Sequence, residues 1–504
     1  MFEAILSIAL LSLVAVLLAR RSRVRLPPGP TGLPFLGNAL DIPPSHQWTT
    51  YVEWSKKFGD VMHLSALGRH LIILNSLDAA RDLLEKRSSI YSDRPKFTMI
   101  SDLMGWDWAI QFMSYGPRFK LYRSNVVAPL RKQVLHRYHP IQIREARQLV
   151  LELYHSPGEC LPLIKHASGA TMMSILYGCK NGQKRNDYVH LADAATESLV
   201  IAGNVGKYLV DLIPVLKYVP KWFPGAEFQR QAREWRKLCL SLIDIPFTDV
   251  KQSLANGTAT PSLVGYMLED EDKQPDHDHL IKATAGVLYL GGADTTLSAF
   301  YSFMLAMVLF PDVMRRAQLE IDSVTKGERF PDFTDKAALQ YCNCLVLEVF
   351  RWVPAVPLGV PHQSNEVDEY RGYVIPKQSI VMVNAWSILH DERVYPEPSR
   401  FNPGRFMPNS MESGQLDPRE VAFGFGRRTC PGVHFAEDHL WIIFVTILAA
   451  FEIRRSKDET GTECSLPSHD YKVTSGMVSV PEFFPCDLIP RSTSLIHFLE
   501  QEND

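Results

Sequence analysis

The most informative stretch of this 504-residue sequence reads FGFGRRTCPG, from Phe423 to Gly432, and an apolar segment, 433–450, follows it. Pro431 suits the first turn of a helix, so Cys430 is expected at a helix N-terminus. There the helix dipole and free backbone N–H groups favour a thiolate and lower the thiol pKa. The residues leave four interpretations of Cys430 open: a buried structural cysteine, a redox thiol, a nucleophile or a thiolate ligand of a metal.

The neighbours of Cys430 favour the last of these interpretations. Phe423 and Phe425 lie close to the sulfur in sequence and suit a shielded axial ligand better than a solvent-facing nucleophile. A CxxC partner is missing, and Cys342-Asn-Cys344 has no matching second pair, which argues against a zinc site.

Length and composition indicate one large globular domain. The chain is 46% hydrophobic and 22% charged, with a net charge of -3, and no linker, repeat or low-complexity tract divides it. This composition excludes a disordered chain, a collagen and a disulfide-stapled miniature fold. A near-neutral charge without a sustained basic run excludes nucleic acid as an expected partner.

The N-terminus predicts a membrane anchor. Residues 1–19 contain one charge, Glu3, and as a helix would span about 28 Å, close to a bilayer core of about 30 Å. A cleaved signal peptide is the alternative, but the arginines follow the apolar run, which favours an uncleaved anchor with a cytosolic body. Residues 20–34 form a basic and proline-rich hinge, which leaves 35–504 as the globular domain.

The periodicity of apolar residues predicts a mainly α fold with a minor β region. The expected helices are 47–58, 78–86, 119–153 and 226–244, with helix and loop over 204–225; the expected strands are 61–64 and 71–74, and a small hairpin joins 374–375 to 380–383.

The segment 283–310 is long and apolar enough to cross a membrane, with Asp294 as its one charge. However, two central glycines cost about 1 kcal/mol each relative to alanine, and a central Asp costs roughly 2.5–3.5 kcal/mol in a bilayer. The glycines, Gly291 and Gly292, directly precede Ala293 and Asp294. The pattern predicts instead a core helix whose backbone approaches a ligand closely.

Four motifs together resemble the cytochrome P450 monooxygenases. The run Phe423-x-x-Gly426-x-Arg428-x-Cys430-x-Gly432-x-x-x-Ala436 resembles their haem-binding loop; Gly291-Gly-x-Asp-Thr-Thr296, Glu348-Val-Phe-Arg351 and Pro403-Gly-Arg-Phe406 follow the order and pattern of their other motifs. The resemblance implies the cytochrome P450 fold, a single large haem-binding domain behind an N-terminal transmembrane helix. It also implies heme b (iron protoporphyrin IX), with Cys430 as the axial ligand of the iron.

The resemblance assigns further residues to the cofactor. Phe423, Arg428, Cys430 and Gly432 belong to the haem-binding loop, and Arg123 and His362 join Arg428 as expected partners of the haem propionates. A buried structural clamp is implied for Glu348, Arg351 and Arg405, since buried charges need full pairing.

Two positions depart from the family pattern. Phe119 replaces the usual Trp, so an indole N–H donor is absent, and Gly404 replaces the usual Glu beside Arg405.

Asp294 and Thr295 are the implied catalytic pair, delivering protons to haem-bound dioxygen. The alternative for Thr295 is a hydroxyl that bonds the preceding turn and only bends the helix, and both can hold at once. The implied substrate pocket is apolar and aromatic and contains Met104, Trp106, Phe112, Leu288, Ala293, Val356 and Met477.

These features predict a haem-thiolate monooxygenase that inserts one oxygen atom from O2 into a hydrophobic small molecule (a terpenoid, polyketide, fatty or aromatic compound). Three short runs resemble fungal enzymes of secondary metabolism: Leu103-Met-Gly-Trp106, Tyr370-Arg-Gly-Tyr-Val-Ile-Pro-Lys377 and the Pro-Arg-Ser of 490–492. No Gly-x-Gly-x-x-Gly or flavin signature is present, so electrons are expected from an NADPH-cytochrome P450 reductase. Its candidate docking charges are Arg118, Lys120, Arg131 and Lys132.

The expected location is the endoplasmic reticulum membrane, with a single pass, contact with membrane lipid and a cytosolic catalytic domain. Three alternatives remain open at this point: a haem-thiolate isomerase or dehydratase that uses no O2, a non-catalytic haem sensor or binding protein, and a membrane-tethered cysteine hydrolase without haem.

Overall fold

The computed structural model describes residues 25–180, 182–203, 207–270, 276–408, 415–457 and 471–503. The predicted anchor, 1–19, and the first residues of the predicted hinge lie outside the described residues. The rest of the chain is mainly helical with small sheets, as the sequence predicts.

The longer helices carry most of the core. In chain order they are α1 (Gln47–Phe58), α2 (Pro117–Val127), α3 (His139–His155), α4 (Cys160–Tyr177), α5 (Gln183–Ala202), α6 (Glu227–Ala255), α7 (Leu263–Glu269), α8 (His277–Gly292), α9 (Asp294–Leu309), α10 (Pro311–Thr325), α11 (Gln340–Trp352), α12 (Val433–Ala450) and α13 (Thr493–Asn503). Short turns of helix at Leu77–Ala80, Ser88–Tyr91, Leu209–Leu212, Ala385–Leu389 and Arg419–Ala422 connect them.

The strands form three small sheets. They are β1 (Val61–Ala66), β2 (Arg69–Leu74), β3 (His362–Gln363), β4 (Asp368–Tyr370), β5 (Tyr373–Ile375), β6 (Ile380–Val383), β7 (Phe451–Arg455) and β8 (Cys486–Pro490). The largest sheet has the order β1-β2-β6-β3, in which β2 and β6 are parallel and the other two pairs antiparallel. The remaining sheets are the antiparallel pairs β4-β5 and β7-β8.

The hairpin predicted between 374–375 and 380–383 is wrong. Val374 lies in β5 and pairs with Glu369 of β4, whereas β6 pairs with β2, in the register Leu71↔Ile380. All four residues of β6 are buried, so this strand needs neighbours on both edges and cover on both faces. A partner some 300 residues earlier in the chain supplies one of those edges.

The region 119–153, predicted to be helical, is helical but interrupted. Helix α2 ends at Val127, and two 3₁₀ turns, Ala128–Leu130 and Lys132–Arg137, precede α3. Pro129 lacks a backbone N–H and crowds the preceding turn, so the α-helix stops there. Helix α2 carries Arg123, which lines the cavity described below.

The long apolar segment is a core helix, as predicted. Helices α8 and α9 form one helical run, His277–Leu309, which is long and apolar enough to cross a membrane but is mostly buried inside the fold. The same holds for α12. Between α8 and α9 the helix is broken at Ala293, whose ψ is -68°.

Two large apolar clusters divide the core. One is built on α9, α10, α11 and α12, where Phe303 stacks on Phe444 with ring centroids 4.0 Å apart. The other is built on α4, α5, α6 and α8 together with the segment 99–113. The helix break at Ala293 lies where the two clusters meet, and this is where the fold opens an internal cavity.

Candidate active site

An apolar cavity of about 360 Å³ lies between the two core clusters. Its wall comes from the α8–α9 junction, from α2 and α5, from the segment before β3, and from the loop that leads into α12. Cys430, in that loop, lines this cavity, which gives its side chain accessible surface although the residue lies inside the fold. The cavity therefore joins one thiol to a largely apolar chamber.

The backbone around Cys430 holds its sulfur in place. The N–H of Cys430 donates to the carbonyl of Phe423 at 2.7 Å, and the N–H of Gly432 donates to Cys430 Sγ at 3.4 Å. Gly426 has a φ of +56°, and a Cβ there would come within 2.1 Å of the Leu84 carbonyl oxygen. The loop thus needs glycine both for its conformation and for its close approach to the chain behind it.

The sequence-based expectation for the helix N-terminus needs two corrections. Helix α12 begins at Val433 with Gly432 as its N-cap, so Pro431 lies in the turn before the helix and not in its first turn. Burial raises the pKa of the Cys430 thiol overall, because the Gly432 N–H and the Arg123 charge offset only part of the desolvation. A metal cation bound at Sγ would supply the charge that a buried thiolate there requires.

Arginine side chains line one end of the cavity. Arg428 donates to the carbonyls of Ser92 at 2.8 Å, Ile110 at 3.1 Å and Met113 at 2.8 Å, and Arg123 donates to the carbonyl of Thr429. Burial lowers the pKa of Arg428 to about 10 and also lowers that of Arg123.

Arg94 is a third buried cation at this end of the cavity. It was not among the cofactor-binding residues predicted from the sequence. Its guanidinium donates to the carbonyls of Val360 at 2.6 Å and Pro361 at 2.7 Å and lines the cavity. No local pattern distinguishes Arg94 from a surface arginine. Its burial follows from the packing of its segment against the chain before β3.

His362 also lies at this end of the cavity. Its Nδ1–H donates to the Tyr91 carbonyl at 2.8 Å. Burial, with the charges of Arg94 and Arg428, holds its pKa well below the usual range, and burial lowers the pKa of Arg94 as well. His362 therefore lines the cavity beside the three arginines, and its role towards a propionate stays a prediction.

The substitution at Phe119 has a structural consequence. The guanidinium carbon of Arg428 lies 3.8 Å from the centroid of the Phe119 ring. A cation over an aromatic face is attracted by the ring quadrupole. The Phe119 ring therefore packs against the Arg428 guanidinium and stabilises its charge, although Phe119 donates no hydrogen bond into the cavity.

The three arginines fit an anionic ligand. Among the described residues that line the cavity, Asp294 is the one carboxylate, and it lies at the helix break. The charge of Asp93 acts on Arg94 and Arg428 and offsets only part of the cost of their burial, so an anion in the cavity would stabilise the three cations further. A haem carries two carboxylates, with which the arginines could pair, and a metal, which Cys430 could ligate. The residues present therefore fit that group.

The predicted clamp is fully buried behind this loop. Glu348 and Arg351 form a two-point ion pair, with Nε–Oε2 at 2.7 Å and Nη2–Oε1 at 2.8 Å, and both side chains are 0% exposed. Arg405 Nε donates to Glu348 Oε1 at 3.2 Å. The carbonyls of Leu389, Pro396 and others accept the remaining guanidinium N–H groups. The trio joins α11 to the segment that contains Arg405 and precedes the loop of Cys430.

Gly404 permits a local turn that supports Arg405. Asn402 Oδ1 accepts from the Gly404 N–H at 3.0 Å, and a Cβ on Gly404 would lie 2.8 Å from that oxygen. The Asn402 N–H donates to Glu348 Oε1 at 2.8 Å. Arg405 itself keeps partners without a glutamate at position 404, since it donates to Glu348 Oε1 and to the Pro396 carbonyl.

The helix break brings Asp294 and Thr295 to the cavity wall. Thr295 Oγ1 donates to the Gly291 carbonyl at 2.6 Å, which is the local bend considered as an alternative. Burial raises the pKa of Asp294 to about 6, and Asp193 adds to this shift. A carboxyl group with this pKa exchanges protons near neutral pH.

The remaining pocket residues divide into two groups. Phe112, Leu288, Val356 and Met477 lie in the cavity wall. Met104, Trp106 and Ala293 are buried but are not among the described residues of that wall; Met104 and Trp106 are 0% exposed within the second apolar cluster. Their apolar character alone did not distinguish wall from core. Met172 and Thr196, which the sequence analysis did not name, complete the wall near Asp294.

Comparisons with known proteins agree with this geometry. The family model described as Cytochrome P450 matches residues 27–473. A cytochrome P450 monooxygenase of Armillaria gallica is 40% identical over 494 residues, covering 96% of this chain and 95% of the relative. The tryptamine 4-monooxygenase of Psilocybe cyanescens is 38% identical, covering 95% and 96%. A cytochrome P450 monooxygenase of Hericium erinaceus is 39% identical, covering 93% and 90%.

Proposed function

Because this chain belongs to the cytochrome P450 family, whose relatives here are monooxygenases, we propose that it inserts one oxygen atom of O2 into a hydrophobic small molecule. The observation that carries the proposal is the cavity itself. One wall presents the sulfur of Cys430, one end presents three arginines, and the remainder is apolar.

Cys430, Arg94, Arg123 and Arg428 are the residues that would hold heme b. In this proposal Sγ would ligate the iron and the guanidinium groups would pair with the propionates, which is supported by their position in one cavity wall. Phe423 and Gly432 shape the loop around the sulfur. When bound, the haem would supply the chemistry of dioxygen activation, which ligation by the Cys430 thiolate would favour by donating electron density.

Proton transfer is the contribution of the protein's own side chains at the α8–α9 junction of the cavity wall. Asp294, with a pKa of about 6, holds and releases a proton near neutral pH, and the Thr295 hydroxyl adjoins it at the helix break. The hydroxyl bonds the Gly291 carbonyl, so it is held at a fixed position on the wall. Most of the surrounding wall is apolar, so Asp294 and Thr295 are the groups of the α8–α9 junction that can pass protons to the cavity.

The cavity wall supports an apolar substrate. Phe112, Leu288, Val356 and Met477 offer aromatic and aliphatic surface, and such walls suit terpenoid, polyketide, fatty or aromatic compounds. The relatives include a tryptamine 4-monooxygenase, so an aromatic amine belongs in the tested set. The resemblance to fungal enzymes supports a role in secondary metabolism.

The electron donor that we propose is an NADPH-cytochrome P450 reductase. Its candidate docking residues, Arg118, Lys120, Arg131 and Lys132, are all exposed, although Arg118 also pairs with Asp107 at 3.1 Å. A single-pass anchor over residues 1–19, with the catalytic domain on the cytosolic side of the endoplasmic reticulum, fits the sequence of the N-terminus.

Isotope-labelled dioxygen tests the proposed reaction. Microsomes that contain the full chain and a reductase are supplied with NADPH, ¹⁸O₂ and a panel of terpenoids, polyketides, fatty acids and indole amines. We expect a product that depends on NADPH and carries one ¹⁸O atom. A product formed without NADPH and without label would instead identify an isomerase or dehydratase.

A further inference from the structure

A group of ionisable side chains lies on the helices around the break at Ala293. It consists of Lys165 on α4, Asp193 on α5, and Tyr289 and Asp294 on the α8–α9 run. Burial and the negative charge of Asp193 raise the pKa of Asp294, and the positive charge of Lys165 lowers it. Asp294 is thus electrically coupled to both residues.

Asp193 connects this group to solvent. Lys165 Nζ lies 3.6 Å from an Asp193 carboxylate oxygen, and the two side chains are 52% and 32% exposed. One turn further along α5, Thr196 lines the cavity, and its hydroxyl donates to the Asp193 carbonyl at 3.1 Å. Asp193 therefore lies between the protein surface and the cavity wall that contains Asp294.

Tyr289 adds a buried hydroxyl to the same group. The side chain is 1% exposed, and its Oη has no hydrogen-bond partner among the described residues. Gly169 on α4 leaves room for it, since a Cβ there would lie 2.7 Å from Oη. Burial raises the pKa of Tyr289, and the charges of Asp193 and Asp294 add to this, so the three side chains interact electrostatically.

We propose that Asp193, held by Lys165, is a positioning residue that controls the uptake of protons by Asp294 from solvent. This inference rests on the proposed function, in which Asp294 passes protons towards the cavity. Each proton that leaves the Asp294 carboxyl is replaced by one that enters past Asp193, and no electrons move. The negative charge of Asp193, 3.6 Å from Lys165 Nζ, favours the protonated form of Asp294.

Infrared difference spectroscopy of the full chain tests the inference without a substrate. The protonated carboxyl band that disappears in Asp294→Asn is followed as a function of pH, and its midpoint in the unsubstituted chain is expected near 6. Asp193→Asn removes the negative neighbour and should lower the midpoint by about one pH unit, about tenfold in proton affinity. Lys165→Met should raise it. Asp193→Glu, which restores the carboxylate, should return the midpoint towards its original value.

A matched control comes from the same helix. Glu197 on α5 is exposed and is not among the charges acting on Asp294, so Glu197→Gln should leave the midpoint unchanged. The pH at which product per NADPH declines should move with the infrared midpoint in Asp193→Asn.

An unchanged midpoint in both Asp193→Asn and Lys165→Met would overturn the inference, as would a shifted midpoint with an unshifted pH profile. Failure of the proposed function would look different: the unsubstituted chain would form no NADPH-dependent product, whatever the midpoints.

Discussion

At the scale of single residues, Arg123 is the cation of the cavity whose role can be tested most cleanly. Phe119 has no hydrogen-bond donor for a propionate, and three N–H groups of Arg428 already donate to backbone carbonyls. A buried charge that loses its partner typically costs about 3–5 kcal/mol. Arg123→Ala should therefore give largely haem-poor protein, measured as haem per polypeptide. Lys120→Ala, an exposed residue on the same helix, should keep full occupancy. Full occupancy in both variants would contradict the assignment.

Glu348 provides a prediction about stability. Glu348→Gln leaves Arg351 and Arg405 buried without their shared carboxylate, so the free energy of unfolding should fall by about 3–5 kcal/mol. Glu53→Gln removes an exposed partner of Lys56 and should cost less than about 1 kcal/mol. Urea unfolding of the two variants measures the difference. Equal, small losses would mean that the trio does not stabilise the fold.

Thr295 provides a prediction about coupling of electron use to product. Thr295→Ala removes the hydroxyl next to Asp294, and general acid–base assistance typically contributes about 10²–10⁴-fold. Product per NADPH should drop sharply, while NADPH oxidation falls less and hydrogen peroxide rises. Thr295→Ser should recover part of the coupling, because the hydroxyl returns. If the ratio of product to NADPH stays unchanged in Thr295→Ala, the hydroxyl only bends the helix.

At the scale of elements, the two adjacent glycines of α8 have different roles. A Cβ on Gly291 would meet nothing within 4 Å, whereas a Cβ on Gly292 would lie 2.6 Å from Met172 Sδ. Gly291→Ala should leave stability unchanged or raise it by up to about 1 kcal/mol, because alanine favours a helix. Gly292→Ala should lower stability, because Met172 must move from the cavity wall. Unfolding free energies measure both, and equal effects would contradict this difference.

The elements also show what the sequence could predict. Helix α1 has the predicted bounds, 47–58, because one amphipathic face and a following glycine mark it locally. The pairing of β6 with β2 could not be predicted, because the register joins segments that are distant in sequence and carry no local signal. The candidate site could likewise be predicted only in part from the sequence. The motifs located Cys430 and the clamp, whereas Arg94 enters the cavity only through tertiary packing.

At the scale of the whole molecule, the anchor remains a prediction from sequence. Removing residues 1–24 should release most of the protein from microsomes with its haem bound. Arg25 is kept, because its carbonyl accepts from the Val374 N–H at 2.8 Å. Carbonate-resistant association of the truncated chain would contradict a single anchor. The exposed apolar side chains of the predicted helix-and-loop region, among them Tyr218 and Trp222, would then be examined as a second one.

The central claim for the whole molecule is that Cys430 ligates the iron of a haem in this cavity. The reduced full chain with carbon monoxide should show the red-shifted Soret band of thiolate ligation. Cys179→Ala, which alters a cysteine outside the cavity wall, should keep that band, and Cys430→Ala should lose it. Retention of the red-shifted band in Cys430→Ala would contradict the account.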